Sequence, residues 1–238
     1  MKTMTTRVIG GTLVLALLIF GYHLQVSGQS ANPVLVVVKL KGVVQVKSAG
    51  ADSWRPAEID LKLSPGDFIR TGPDGKAMFK LLLELENELY LYANTEMQVS
   101  DFIKNTQNAP ISANIRLLKG GAWAKINTIK DSNLKFNVTT PNAVAAISGT
   151  SLAVSVWDGD QSYFCACHGT IDVKNPAGAV VINKAEGTHV AAAAPPSVPK
   201  SEKNLLMTLK NPADRKLGMC LYCHTSIDGC AYQTDIKF

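Results

Sequence analysis

Cysteine is absent from the first 164 residues, and all five cysteines of the chain fall between Cys165 and Cys230. A fold held together by disulfides usually distributes its cysteines through the core. The clustering therefore indicates local chemistry toward the C-terminal side. Because the count is odd, disulfides alone cannot pair every thiol.

Clustered charge and catalytic constellations are also absent. The formal net charge is +5, but Lys and Arg are scattered along the chain, which excludes an electrostatic footprint for nucleic acid. We find no Ser/His/Asp or paired-carboxylate arrangement, so we predict that the protein is not an enzyme. The hydrophobic content of 46% and aromatic content of 7% are ordinary for a globular protein with a substantial core.

Long apolar runs are missing except near the N-terminus. Lys2 and Arg7 precede an uncharged run of 13 residues, Val8–Phe20, and small residues at Val26–Gly28 offer a cleavage site before Gln29. The run is shorter than the roughly 20 residues that span a bilayer as a helix. We predict a signal peptide over residues 1–28, with an uncleaved inner-membrane anchor as the alternative. Either one places the body in the periplasm or another extracytoplasmic space.

The body, residues 34–190, is predicted to be all-β. Short segments rich in Val, Ile, Leu and aromatic residues alternate with turns such as Ser64–Asp67 and Gly72–Gly75. Repeated short strands with Gly or Asp corners indicate a solenoid-like or barrel-like domain.

An ordered series of motifs in this body resembles the FecR domain. The resemblance covers roughly residues 36–190 and implies a periplasmic, all-β, solenoid-like domain. Its segments are Gly66–Gly72, Gly75–Leu81, Leu91–Thr95, Leu118–Trp123, Val138–Pro141, Ala143–Ala146, Gly149–Thr150 and His168–Val173.

The sequence departs from the family pattern in three places. Ser148 stands where a basic residue is usual, and Leu152 stands where an aromatic residue is frequent. Iron-responsive family members hold a sigma factor with a cytoplasmic segment of some tens of residues, whereas seven residues precede the apolar run here. We therefore expect a scaffold or binding module and no sigma-factor contact.

After the body, residues 191–217 read as a linker that begins with an Ala- and Pro-rich stretch, and residues 218–238 as a short, mostly irregular tail. The tail contains Cys220, Cys223 and His224 in the C-x-x-C-H spacing of c-type haem attachment. Two thioethers would hold the porphyrin, and the imidazole would ligate the iron. A site for zinc or another transition metal, and a disulfide or an idle motif, remain the alternatives.

A second group comprises Cys165, Cys167 and His168. Residues two apart in a strand face the same side, so both thiols could reach one metal or one partner thiol. Buried or disulfide-bonded cysteines are the other interpretation. The metal hypothesis takes its ligands from five residues, Cys165, Cys167, His168, His224 and Cys230. For an attached haem, His189 or His168 is the candidate sixth ligand.

These observations give two functional predictions. The first is an exported FecR-like envelope protein that carries one haem c and acts in electron transfer or redox-linked sensing, with a redox or envelope partner that the sequence does not name. The second is a non-haem scaffold or ligand-binding module whose cysteines form a metal site or disulfides. We also predict that the tail docks on the strand carrying Cys165 and Cys167; a tail that stays disordered until haem binds is the alternative.

Overall fold

The computed structural model describes residues 35–82, 87–103, 112–127, 135–157 and 161–201. The chain divides into two units, Met1–Ser30 and Ala31–Phe238, and every described residue belongs to the second. The predicted signal segment 1–28, the tail 218–238 and much of the linker 191–217 lie outside the described residues. Within the described ranges there is no helix with the length and apolar character needed to cross a membrane.

The described residues form β-strands and their connections, with no helix among them, which confirms the all-β prediction. The strands are β1 (Leu35–Lys41), β2 (Val44–Lys47), β3 (Arg55–Pro56), β4 (Lys62–Leu63), β5 (Phe68–Thr71), β6 (Lys76–Leu81), β7 (Asn87–Leu91), β8 (Glu96–Ile103), β9 (Ser112–Lys125), β10 (Lys135–Thr139), β11 (Val144–Ile147), β12 (Ser151–Trp157), β13 (Gln161–His168), β14 (Thr170–Asn175), β15 (Gly178–Asn183), β16 (Glu186–Ala191) and β17 (Lys200–Ser201).

The strands build two sheets that share β9. Sheet 1 has the order β4-β1-β6-β7-β9-β12-β13-β16-β17. Sheet 2 has the order β3-β2-β5-β8-β9-β10-β11-β14-β15. All pairings are antiparallel except the parallel pair of β9 and β10.

Both sheets are open in the part of the chain that the structure describes. Sheet 1 ends at β4 and β17, and sheet 2 ends at β3 and β15. Of the two predicted forms, the described sheets therefore fit the solenoid-like domain, because a barrel requires a closed sheet. From β10 onward, successive hairpins lie alternately in sheet 2 and sheet 1, which gives the layered, repeating course of the chain.

One hydrophobic core lies between the two sheets, and side-chain alternation builds it. In β14, Ile171 and Val173 are fully buried, whereas Asp172 and Lys174 are exposed. Phe79, Phe136 and Phe164 bring the largest inward side chains from three different strands to the same core. Burying a side chain of this size contributes about 1.5–3 kcal/mol.

Strand β9 crosses from sheet 2 to sheet 1 at two glycines. Its first part pairs with β8 and β10, and from Gly120 onward it pairs with β7 and β12. Gly120 has a φ of 81°, and a Cβ there would lie 2.5 Å from Oγ1 of Thr95. The backbone N–H of Gly121 donates to the same oxygen at 2.9 Å. The Leu91–Thr95 and Leu118–Trp123 motifs therefore meet at one corner of the fold.

Candidate functional site: the outer face of sheet 1

Two adjacent strands are buried on both of their faces. In β12 the six residues Ser151–Val156 are all buried, and in β13 the six residues from Ser162 to Cys167 are all buried. The outer face of a two-layer antiparallel structure ordinarily meets water and carries polar side chains, as β14 does. This part of sheet 1 is therefore the exception in the described fold.

Cross-strand register places the outward side chains in rows. One row runs from Tyr90 in β7 through Trp123, Ala153 and Cys165 to Gly187 in β16. The next row contains Gly121, Ser155, Tyr163 and His189. We call this surface the aromatic–cysteine face; it consists of Tyr90, Tyr92, Trp123, Ala153, Ser155, Trp157, Tyr163, Cys165, Cys167 and His189.

Ring contacts order the aromatic part of this face. Tyr90 meets Trp123 edge-on, with ring centroids 5.3 Å apart and an interplanar angle of 63°. Tyr163 stacks on Trp157 at 5.9 Å and contacts the imidazole of His189 at 4.9 Å. Pairs of this kind contribute about 0.5–1.5 kcal/mol each beyond their buried area.

A glycine makes room for the Tyr163 ring. A Cβ at Gly187 would overlap the Tyr163 hydroxyl oxygen and lie under 3 Å from two ring carbons. The ring therefore lies directly over the β16 backbone. Its hydroxyl and the indole N–H of Trp157 are buried and have no hydrogen-bond partner among the described residues, which is uncommon for buried polar groups. Both groups can donate a hydrogen bond to an acceptor that lies against this face.

The two cysteines of this face are in different chemical states. Cys165 is fully buried and disulfide-bonded. Cys167 is a buried thiol, and burial raises its pKa to about 12 although contacts with the Trp123 side chain and the Ala153 backbone act in the opposite direction. Cys167 is therefore protonated at neutral pH and is a poor nucleophile and a poor metal ligand.

His168 is exposed at the end of β13, while Cys165 and Cys167 are buried. Within the described ranges no group of three or more His, Cys, Asp or Glu side chains could hold a metal ion. A disulfide sulfur is also not a thiolate, so Cys165 in this state cannot serve as the predicted ligand. Cys220, Cys223, His224 and Cys230, the other predicted site residues, lie outside the described residues.

His189, the other candidate iron ligand, is half-buried in β16. Its ring packs against Tyr163 and lies 5.5 Å from the Trp157 ring, and its backbone N–H donates to Oγ of Ser197 at 3.0 Å. An iron ligand at this position would have to give up part of this aromatic packing.

The aromatic residues of this face were not among the residues predicted from sequence. A signal for them exists: Ser151–Trp157 and Tyr163–Cys167 contain no charged residue at any position. Such continuity is typical of strands covered on both sides.

Comparison with known proteins places part of this chain in a family context. Residues 67–172 match the family model described as FecR protein. No curated protein matches the chain. Two crystal structures of a proposed anti-sigma factor from Parabacteroides distasonis are similar, each at 17% identity with a TM-score of 0.43. They align with 59% and 58% of this chain, and the chain spans 63% and 61% of theirs, less than two thirds of their length. The match over residues 67–172 contains the β9 corner and the strands β12 and β13 of the aromatic–cysteine face.

Proposed function

We propose that this chain is an exported, FecR-like envelope protein with a binding or regulatory role and no catalytic activity. The observation that carries the proposal is the disulfide of Cys165 within a region that matches the FecR model. Disulfides persist in oxidising compartments such as the periplasm, so this bond supports export as the N-terminal run does.

The chemical state of the described side chains supports a non-catalytic role. Cys167 is a protonated thiol at neutral pH, because its pKa is raised to about 12. Burial and the neighbouring carboxylate of Glu88 raise the pKa of Tyr90 well above its usual range, so this phenol is also protonated. Neither group is activated in the way that a catalytic nucleophile requires.

Differential alkylation in cells tests this proposal. Free thiols of the full chain are blocked in intact cells, disulfides are then reduced and labelled with a second reagent, and Cys165 is located by peptide mass spectrometry. We expect Cys165 to carry the second label and the protein to fractionate with the envelope. The control is the same chain without residues 1–28, in which we expect a cytoplasmic protein with reduced Cys165. Recovery of the full chain in the cytoplasm with a blocked Cys165 contradicts the proposal.

The C-x-x-C-H spacing supports a second candidate function, a haem protein acting in electron transfer or redox-linked sensing. Cys220 and Cys223 would hold the porphyrin and His224 would ligate the iron; the bound group would supply a one-electron couple. For the sixth position, His168 is the more accessible candidate because it is exposed, whereas His189 is packed against Tyr163.

Intact mass and haem staining separate the two candidates. The full chain is produced in cells with a haem-maturation system, and the purified protein is stained for haem peroxidase activity on a denaturing gel. If the protein carries haem, we expect one added haem mass and a stained band. Both should be lost on combined Cys220→Ala and Cys223→Ala substitution. Cys167→Ala is the matched control and is expected to retain both. A bare chain mass, less two hydrogens per disulfide, contradicts the haem candidate and leaves the first proposal standing.

A further inference from the structure

The aromatic–cysteine face is buried although it points away from the core. Cys165 is 0%, Trp123 1% and Ser155 2% exposed. The partly buried apolar residues packed with this cluster, Tyr90, Tyr92 and Trp157, extend the cluster sideways. A further layer over a sheet lies about 10 Å above it, so the burial requires a segment outside this row of strands.

The disulfide identifies that segment. The described residues contain two cysteines, Cys165 and Cys167, and Cys167 is a thiol. The partner of Cys165 therefore lies in another part of the chain. Residues 1–34 contain no cysteine, whereas residues 202–238 contain three, Cys220, Cys223 and Cys230.

The path of the chain brings the C-terminal segment to the same place. The last described strand, β17, pairs with β16, and the register aligns Cys165 with Gly187 and Gly187 with Lys200. Two strand spacings, about 10 Å, separate the β17 backbone from the β13 backbone. About 19 residues connect Ser201 to Cys220, and such a length can span about 60 Å when extended. All three cysteines are therefore within reach of Cys165.

We propose that residues 202–238 cover the aromatic–cysteine face of sheet 1 and are held there by a disulfide between Cys165 and one of Cys220, Cys223 and Cys230. The segment offers apolar side chains for this contact, including Leu205, Leu206, Leu209 and Leu221. In the bond-forming step, two thiols lose two protons and two electrons, and a disulfide of an extracytoplasmic thiol–disulfide oxidoreductase accepts both to become a dithiol. The proposal does not depend on which of the two functions is correct.

The identity of the partner decides whether haem can be attached. Haem c of this type needs both Cys220 and Cys223 as thioethers. A bond from Cys165 to either one makes haem attachment and the disulfide mutually exclusive. A bond to Cys230 leaves both thiols of the motif available for attachment.

Disulfide mapping of the full chain tests the covalent part. The protein is purified without reductant, alkylated in denaturant, digested and analysed by mass spectrometry. We expect one cross-linked species that joins the Cys165 peptide to a peptide from residues 202–238, together with alkylated Cys167. Alkylated Cys165, a Cys165–Cys167 bond, or a bond to a second copy of the chain would overturn the proposal.

Hydroxyl-radical footprinting of the same protein tests the contact. We expect Trp123 to be oxidised several-fold less than Trp54, which is partly exposed on a loop. Full-length Cys165→Ala loses the covalent link and is expected to raise the labelling of Trp123 and Tyr163. The matched variant Cys167→Ala keeps the link and is expected to preserve the protection. Equal labelling of Trp123 and Trp54 in the unsubstituted protein would overturn the proposed cover.

Discussion

Replacing Thr95 by Val tests whether the corner at Gly120 and Gly121 holds the two sheets together. The Thr95 hydroxyl accepts the N–H of Gly121 at 2.9 Å and lies 3.1 Å from the carbonyl oxygen of Gly121, to which it donates. The Thr95 backbone N–H donates to Oγ1 of Thr71 at 2.9 Å, which connects the corner to the end of β5. Valine preserves the shape of the side chain and removes only the hydroxyl.

The expected loss follows from the buried N–H of Gly121. Thr95 is fully buried and Gly121 lies in the buried part of β9, so water cannot replace the missing acceptor. Leaving a buried donor unpaired costs about 1–3 kcal/mol. We therefore expect Thr95→Val to lower the free energy of unfolding by about 1–3 kcal/mol. The matched control is Thr170→Val, at an exposed position of β14, with an expected change within about 0.5 kcal/mol.

Urea unfolding followed by far-ultraviolet circular dichroism measures both variants. A shift of the midpoint at constant m-value reports stability alone, whereas a changed m-value reports a change in the surface exposed on unfolding. If Thr95→Val unfolds with the midpoint of the unsubstituted protein, the hydroxyl is dispensable and the explanation of this corner fails.

Two further predictions concern the aromatic–cysteine face. Gly187→Ala is expected to destabilise the protein by about 1–3 kcal/mol in urea unfolding, because its Cβ would overlap the Tyr163 ring. In the control Gly50→Ala, the new Cβ meets no atom within 4 Å, so we expect backbone strain alone. Equal effects of the two substitutions would contradict the packing explanation. Because the pKa of Cys167 is raised from 9.0, the value for an unperturbed thiol, to about 12, its contribution to stability is complete below pH 9.0 and is lost as the pH rises to about 12. We expect Cys167→Ala to remove this part of the pH dependence of the free energy of unfolding. If the difference in unfolding free energy between the two proteins stays the same from pH 8 to 11, the pKa shift is refuted.

The sequence predicted the strands well where one face is buried and the other is wet. The segments around Leu89, Phe136 and Ile171 are strands as predicted, and these three side chains face the core. In the sequence, Ile115–Leu118 and Ala122–Ile126 stand apart as two short strand segments. Ile115–Leu118 and Ala122–Lys125 belong to one strand, β9, because a glycine with positive φ can also redirect a strand from one sheet to another.

The site was less predictable for a physical reason. Cys165 and Cys167 were recognised as a pair on one side of a strand, and the structure places them in one buried cluster. Their different states depend on which other thiol reaches Cys165, and sequence spacing does not determine disulfide connectivity. Trp123, Tyr163 and Gly187 come together through register across four strands, which only the complete sheet specifies.

The two-sided burial of β12 and β13 restricts how the C-terminal cysteines can be used. From its sequence, we expect a tail with few apolar residues to need a cofactor or a surface that orders it. The aromatic–cysteine face is such a surface, and the Cys165 disulfide closes a loop of at least 55 residues when its partner is Cys220. In the chain-entropy model, a disulfide that closes a loop of this size stabilises the folded state by about 4 kcal/mol. Under the proposal above, a bond from Cys165 to Cys220 or Cys223 would withhold one thiol of the C-x-x-C-H motif until that bond is reduced, whereas a bond to Cys230 would leave both thiols available.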